Sequence, residues 1–427
     1  MKAAAPRSGR LRIPRRPRPA LGAGLVLAFA LFVMLGMPEG TLGAAWPSMR
    51  LDVGRPVSSL AWLVVGYTVG YLLATAGSGW LLEWFGIDRV LITGVAGTAI
   101  GVAGFAASPW WLLLVAVSFV TGAGAGTVDS TLNTFVAITG GARAMNLLHA
   151  FFGVGATLGP LAVTAALRTE TSWRAVYAII AVVEVVLLVV VWARRDRFRI
   201  MVRPTADVRA ADGDAADGDA AGGKTADGGG AAGGAMPLGL LGLMLLFFAA
   251  YVAAEVSLGQ WSYSLLVDER DVSATVAGWA IAGYWGGLTL GRFALAFVGS
   301  AIEPLRILRI ASAATVAGVT LFWLDPVPGL DLVSLPVVGL AQAGMFPAMV
   351  LLTPGWIGRH NTGRAVGLQL MASSAGAIGA SVAIGAAVQR WDLEAMPPII
   401  VALTVTTLLA FTAAARLAAR PVIAAPV

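Results

Sequence analysis

What most constrains this chain is the recurrence of apolar stretches, each about 20 residues or longer, along nearly its whole length. A stretch of that length crosses a hydrocarbon layer as a helix, whereas strands of a membrane barrel would alternate polar and apolar residues. The pattern predicts helical spans over about 21–47, 58–82, 90–107, 110–139, 145–167, 173–193, 237–266, 274–299, 304–324, 333–355, 364–388 and 397–416. The expected fold is therefore an all-α integral membrane protein of twelve transmembrane helices, split into two halves of six. Composition agrees: 58% of the 427 residues are hydrophobic and 12% charged, against about 25% charged in a soluble domain.

The break between halves falls where apolar side chains other than alanine almost vanish, in ADGDAADGDAAGGKTADGGGAAGG. Such a segment buries no core and is expected to be a disordered linker. The expected organisation is a basic N-terminus (1–20), a first half (21–193), a linker (194–236), a second half (237–416) and a tail (417–427). The N-terminus holds Lys2, Arg7, Arg10, Arg12, Arg15, Arg16 and Arg18 without an acid. It is not read as a signal peptide, because the apolar run that follows exceeds the 7–15 residues of such a region and further spans come after it.

A sequence pI near 10.1 would suit nucleic acid, but the basic residues sit in short segments between spans. Assigning alternate loops to one side puts 23 of the 29 Lys and Arg there, with both termini and the linker. The other side keeps Arg50, Arg55, Arg168, Arg174, Arg270 and Arg390. This bias predicts that termini and linker are cytoplasmic in a multi-pass protein of the cytoplasmic membrane. Trp46, Trp110, Trp111, Trp173, Trp323 and Trp391 fall at outer span ends and Trp84, Trp192 and Trp356 at inner ends, as interfacial indoles do.

The halves resemble each other. Trp62, Gly66, Tyr67 and Gly70 form a W-x3-G-Y-x2-G pattern that returns as Trp279, Gly283, Tyr284 and Gly287, at an offset of 217. Phe32, Glu39 and Gly43 are matched by Phe248, Glu255 and Gly259 at an offset of 216. Two independent matches at nearly one offset predict parallel repeats related by an axis along the membrane normal, with a substrate site at the midplane between them.

Four acids fall inside spans: Glu39, Asp129, Glu184 and Glu255. A charge at the bilayer centre costs at least about 2.5 kcal/mol, so each must face protein or water, be paired, or be protonated. Glu39 follows Pro38 and precedes Gly40 at the repeat position matched by Glu255, where both can line a cavity. Asp129 and Asn133 lie one turn apart on a face shared with Gly122 and Gly126. Glu184, among valines, is expected to snorkel or pack at the outer half. His149, one turn into span five, reads as a cavity ligand, proton relay or interfacial histidine. Arg292, short of the end of span eight, reads as a partner for Asp129, an anion-binding group or a cytoplasmic anchor. Gly97/Gly101, Gly155/Gly159 and Gly283/Gly287/Gly291 are small-xxx-small contacts for close helix packing.

With no cysteine and two histidines, no disulfide, thiolate nucleophile, metal site or cofactor is expected, and no catalytic constellation can be assembled.

Beyond these readings, the chain from about 21 to 416 resembles the major facilitator superfamily. The loop after span two, G79-W-L-L-E83-W-F-G86-I-D88-R89, is similar to its cytoplasmic signature, with Asp88 where a basic residue is usual. That resemblance implies a conformational latch at Gly79, Glu83, Gly86 and Arg89, to which Arg292 is added. D129-S-T-L-N133-T-F and N146-L-L-H149-A-F-F-G resemble the fucose permease branch. The resemblance implies proton coupling at Asp129 and a sugar contact at His149. Phe152 replaces a cavity asparagine of that branch, and Gly43 stands near its acidic position on span one.

The expected function is secondary active transport of a small polar solute, a sugar or related metabolite, by proton-coupled symport. Asp129, Glu39 and Glu255 are the expected proton sites; Asn133, His149, Glu39, Glu255, Gln260, Trp261 and Gln369 the expected substrate contacts. A proton antiporter exporting amphipathic compounds and a non-transporting membrane sensor are the alternatives. The expected partners are the substrate, protons and the lipid bilayer, with no nucleic acid, and the chain is expected to act as a monomer.

Overall fold

The computed structural model describes residues 19–199, 236–298, 302–358 and 361–419. The basic N-terminus, nearly all of the linker and the tail beyond 419 lie outside the described residues, and so do the expectations made for them. The described chain is helical almost throughout: α1 Pro19–Asp52, α2 Leu60–Ala107, α3 Trp111–Thr139, α4 Gly141–Arg168, α5 Trp173–Ala193, α6 Leu238–Ser264, α7 Ala274–Val298, α8 Pro304–Leu324, α9 Leu330–Gln342, α10 Met345–Ile357, α11 Thr362–Arg390 and α12 Met396–Ala418. A π-helical turn, Leu265–Glu269, extends α6.

Helices and crossings do not correspond one to one. With 48 residues, α2 would reach about 72 Å if straight, at about 1.5 Å per residue, twice a bilayer. It reverses at Gly86, whose φ of 77° and ψ of 162° are not helical. Spans two and three are thus one helical run folded at a glycine. Conversely α9 and α10 together make span ten, interrupted at Ala343 and Gly344. Among the described residues this arrangement accommodates the twelve expected crossings.

Glycines set the packing of each half. Gly66, Gly70 and Gly126 bring span two alongside α3 in parallel, while Gly94, Gly97, Gly101 and Gly104 bring span three against α3 in the opposite sense. The repeat is visible in these contacts. A Cβ on Gly122 would strike the carbonyl of Tyr67, and one on Gly339 that of Tyr284; Gly70 meets Phe119 and Gly287 meets Pro336 in the same way. Each partner of one pair lies 217 residues from its counterpart in the other. The lipid-facing ends of the motif agree too, Trp62 being 64% exposed and Trp279 60%. The two six-helix halves are pseudo-symmetric.

The halves meet unevenly. One core cluster draws on both of them at the end away from the termini, here the loop end, with Trp46, Leu60, Trp261, Tyr263 and Trp285 almost fully buried. Toward the termini the apolar core divides. One cluster there holds first-half residues such as Phe32, Leu132, Phe135 and Leu148; the other holds second-half residues such as Phe248, Tyr251, Met349 and Phe411. Along α4 and α7 the halves stay in touch, through Gly153 on Thr289 and Gly278 on Thr164. The space between them is therefore a cleft, closed at the loop end and open toward the termini, where Gly77, Gly79 and Gly367 have nothing packed against them.

Each half is tied at the loop end by a polar clasp. In the first, the Trp173 indole donates to Asp52 at 2.8 Å and Arg174 to the Ser108 carbonyl at 2.6 Å. In the second, Arg270 donates to both Glu394 oxygens at 2.6 and 2.9 Å, to Asp331 at 3.1 Å and to the Phe322 carbonyl at 2.9 Å. This corrects the reading of two tryptophans. Trp46 and Trp173 are 0% and 2% exposed and serve as core, whereas Trp84, Trp110, Trp192 and Trp391 are exposed near span ends.

Candidate functional site

Glu255, Arg292 and Asp129 all come within electrostatic reach of Glu39 in the middle of the bundle. The local sequence explains how. Gly36 and Gly40 press α1 onto the backbone of Phe152 and Ala156 in α4, and Gly43 brings it against Gly259 and Gln260 of α6. Glu39 lies between these contacts and is partly exposed, an exposure that inside a bundle means it lines the cleft. Its carbonyl accepts a bond from Gln260 Nε2 at 2.9 Å.

Glu255, the repeat partner of Glu39, has a cation beside it. Arg292 reaches its Oε1 at 3.4 Å, with side-chain exposures of 18% and 14%. Tyr284, from the repeat motif, lies 3.0 Å from the Glu255 carbonyl and 2.7 Å from Gln342 Oε1. Arg292 was expected in the latch and with the cytoplasmic basic residues; the structure puts it inside α7, on Glu255.

Asp129 accepts a hydrogen bond from the Tyr71 hydroxyl at 2.7 Å, and Tyr71 stacks on Tyr67. Asn133 follows one turn later, partly exposed, with its Oδ1 buried and unpartnered. His149 is exposed and sets its ring edge-on to Phe32 at 5.7 Å. No salt bridge joins Glu39 or Asp129 to a cation among the described residues.

Three expected substrate contacts lie elsewhere. Gln260 and Trp261 are 3% and 0% exposed and form part of the closed loop end, where Trp261 approaches Gly385 of α11. Gln369 is 1% exposed and donates to Thr353 at 3.1 Å inside the second half. Physically, each spends its side chain on sealing or internal bonding in this conformation. Apart from Arg292, the expected latch residues gather at the fold of α2: Gly86 makes the reversal, Gly79 lies two helical turns before it, and Glu83 and Arg89 carry no ion pair among the described residues. Glu184 does not snorkel; it is 3% exposed with Oε2 unpartnered. Among the described residues no three His, Asp or Glu are placed to hold a metal.

Tyr71, Tyr284 and Gln342 were not singled out from the sequence. Tyr284 stood inside the repeat motif, and Tyr71 one turn beyond its match Tyr67, which was the available signal.

The model of the Major Facilitator Superfamily matches residues 25–210. That match covers the first half of the chain and the start of the linker, and the chain as a whole has the major facilitator fold. Among its relatives, sodium-dependent glucose transporter 1A of Mus musculus is 24% identical over 401 residues, spanning 84% of this chain and 88% of that protein. The glucose/mannose transporter GlcP of Bacillus subtilis (strain 168) is 20% identical over 332 residues, spanning 77% and 79%. The fold is shared with the crystal structure of a Major Facilitator Superfamily transporter, FucP, in the outward conformation. There the TM-score is 0.60 at 14% identity, over 94% of this chain and all of that one. This chain is a multi-pass membrane protein and a secondary transporter, not an enzyme.

Proposed function

We propose that this transporter is a proton-coupled symporter of a sugar or related small polar solute. It is read as residing in the cytoplasmic membrane with both termini and the linker on the cytoplasmic side, and as working as a monomer. The observation that carries the reading is the charge count of the cleft: three carboxylates, Glu39, Asp129 and Glu255, face one guanidinium, Arg292. A cleft in that state holds uncompensated negative charge, and burying it costs several kcal/mol per charge, on the order of the Born penalty after relaxation. Two cations from solution, or protonation, relieve it. The relatives named as glucose transporters support a sugar as the solute, and the sodium dependence in one name supports coupling to an ion.

In this scheme the solute and a proton enter the open cleft together. Asp129, held by Tyr71, takes the proton, and Glu39 serves as second site; Glu255 already has Arg292. Asn133 and His149, polar and near the same cleft, supply neutral hydrogen bonds of the kind hydroxyl-rich solutes use. Discharging the cleft lets the halves rock and open it on the other side. The loop end is closed here, so by the proposed topology this conformation faces inward.

Reconstituted in liposomes, Asp129→Asn is expected to abolish accumulation driven by a pH gradient while sparing counterflow exchange of the solute. Undiminished accumulation would refute the assignment. The direction of proton movement tests symport itself: solute uptake should alkalinise the side of origin, whereas an antiporter would acidify it.

A further inference from the structure

A proton on Asp129 corrects only part of the charge in the cleft. Three carboxylates against one guanidinium leave two negative charges in excess, and that proton cancels one of them. The repeat shows where the other lies. Glu39 and Glu255 hold matched places in the two halves, but Arg292, the cation on Glu255, falls 217 positions after Thr75. The first half thus carries a neutral hydroxyl where the second carries a guanidinium. Glu39 joins no cation among the described residues and is partly exposed to the cleft. Its counter-charge must come from what enters the cleft.

The groups around Glu39 suit an ammonium. The Gln260 amide sits on this residue, its Nε2 donating to the Glu39 carbonyl at 2.9 Å. Oε1 of the same amide is buried and unpartnered, in a side chain only 3% exposed. Asn133 Oδ1, one turn past Asp129, is also buried and unpartnered. Both atoms are acceptors, and an alkylammonium brings three donors and no acceptor, whereas a hydroxyl brings both. Aromatic faces are at hand as well. Tyr67 and Tyr71 stack with ring centroids 6.4 Å apart and 19° between their planes. Both rings are partly exposed and lie within electrostatic reach of Glu39 and Asp129. A carboxylate beside an aromatic face attracts an ammonium twice over, by its charge and by the ring quadrupole.

We propose that the solute is an amino sugar, whose ammonium group binds Glu39 beneath Gln260 Oε1 and against Tyr67, while its hydroxyls meet the neutral groups of the cleft. The charges then balance, with the proton on Asp129 and the ammonium on Glu39 offsetting the two in excess. The proposal rests on the proton-symport reading and adds the class of solute. Its test is equilibrium binding to the purified full-length protein, and uptake by proteoliposomes, at a pH that keeps the amine protonated. The probes are radiolabelled D-glucosamine and D-galactosamine, against D-glucose, D-galactose and N-acetyl-D-glucosamine, whose nitrogen is an uncharged amide. Wild type is expected to bind at least one of the two amines about tenfold or more tightly than its neutral counterparts. Glu39→Gln is expected to bring that preference to within about twofold, and Tyr67→Leu to weaken amine binding a few fold where Tyr67→Phe does not. Unchanged melting temperatures show that the variants are folded. Equal or tighter binding of the neutral sugars by wild type, binding of neither amine, or a preference that survives Glu39→Gln overturns the proposal. Proton-linked accumulation of glucose without amine preference sinks the amino-sugar assignment alone. Amine preference without proton movement on uptake sinks the symport reading alone.

Discussion

A charge inside a membrane bundle is defined by its partner, and partners are what a sequence hides. Asp129 stood out because nothing else between Arg89 and Arg143 is charged, and so did Glu39 and Glu255 through their matched positions. That Arg292 would choose Glu255, 37 residues away, over Asp129 could not be read, because the choice depends on how α6 and α7 pack rather than on helical spacing. The pair makes a prediction. Breaking a buried ion pair by removing one partner costs about 3–5 kcal/mol, and partial exposure to the cleft puts this pair at or below the lower bound. Glu255→Gln is expected to lower the melting temperature in detergent by several degrees. Adding Arg292→Gln should restore most of that loss, since no unpaired cation is then left. Equal melting of the single and double variants would mean that the bond does not hold in solution. Glu184, alone among valines, read as a snorkelling or packing side chain; it packs, against spans far away in sequence.

At the level of elements, existence was legible and continuity was not. Length and hydropathy located every crossing, because a bilayer imposes a minimum apolar length that local sequence satisfies by itself. They did not reveal that spans two and three form one run reversed at Gly86, or that span ten breaks at Gly344, where a Cβ would meet Ile307 and Leu295. The break falls where Pro347, with no N–H to offer the Ala343 carbonyl one turn before it, interrupts the helical hydrogen bonds. Gly86 and Gly79, both in the signature loop, separate backbone strain from packing. Gly86 has a φ of 77°, whereas Gly79 is helical with open space around it. Gly86→Ala forces a side chain into a positive-φ, extended-ψ backbone that essentially only glycine adopts, and is expected to cost about 1–3 kcal/mol. Gly79→Ala is expected to be neutral or stabilising by up to about 1 kcal/mol, since alanine lowers the entropy of the unfolded chain where the conformation suits it. Urea or thermal unfolding of the two variants side by side checks the sign of the difference.

For the whole molecule, the two-half architecture came through in the repeat offset, while the conformational state did not. Which end of the cleft is shut depends on the small free-energy difference between two packings of one sequence, and each residue keeps nearly the same neighbours within its own half in both. Here the loop end is held by a shared core, by the Gln260 amide on the Glu39 carbonyl, and by Arg50 on Asp268 at 3.0 Å, which joins the end of α1 to the end of α6. Arg50 and Asp268 are 23% and 20% exposed, so the bridge contributes on the order of 1 kcal/mol or less. That is small against folding but enough to shift the closed-to-open ratio about fivefold. The chain contains no cysteine, so a single introduced thiol reports access without background. Ser264 is fully buried and lies one turn past Gln260 toward Asp268, on the face of α6 that meets α1. In Ser264→Cys, a membrane-impermeant maleimide applied at the loop end should react slowly. Adding Arg50→Ala should speed the reaction by a few fold, and the swapped pair Arg50→Asp with Asp268→Arg should slow it again, because the swap restores attraction across the seam. If Arg50→Ala leaves labelling unchanged, the bridge is incidental and closure rests on the shared apolar core alone.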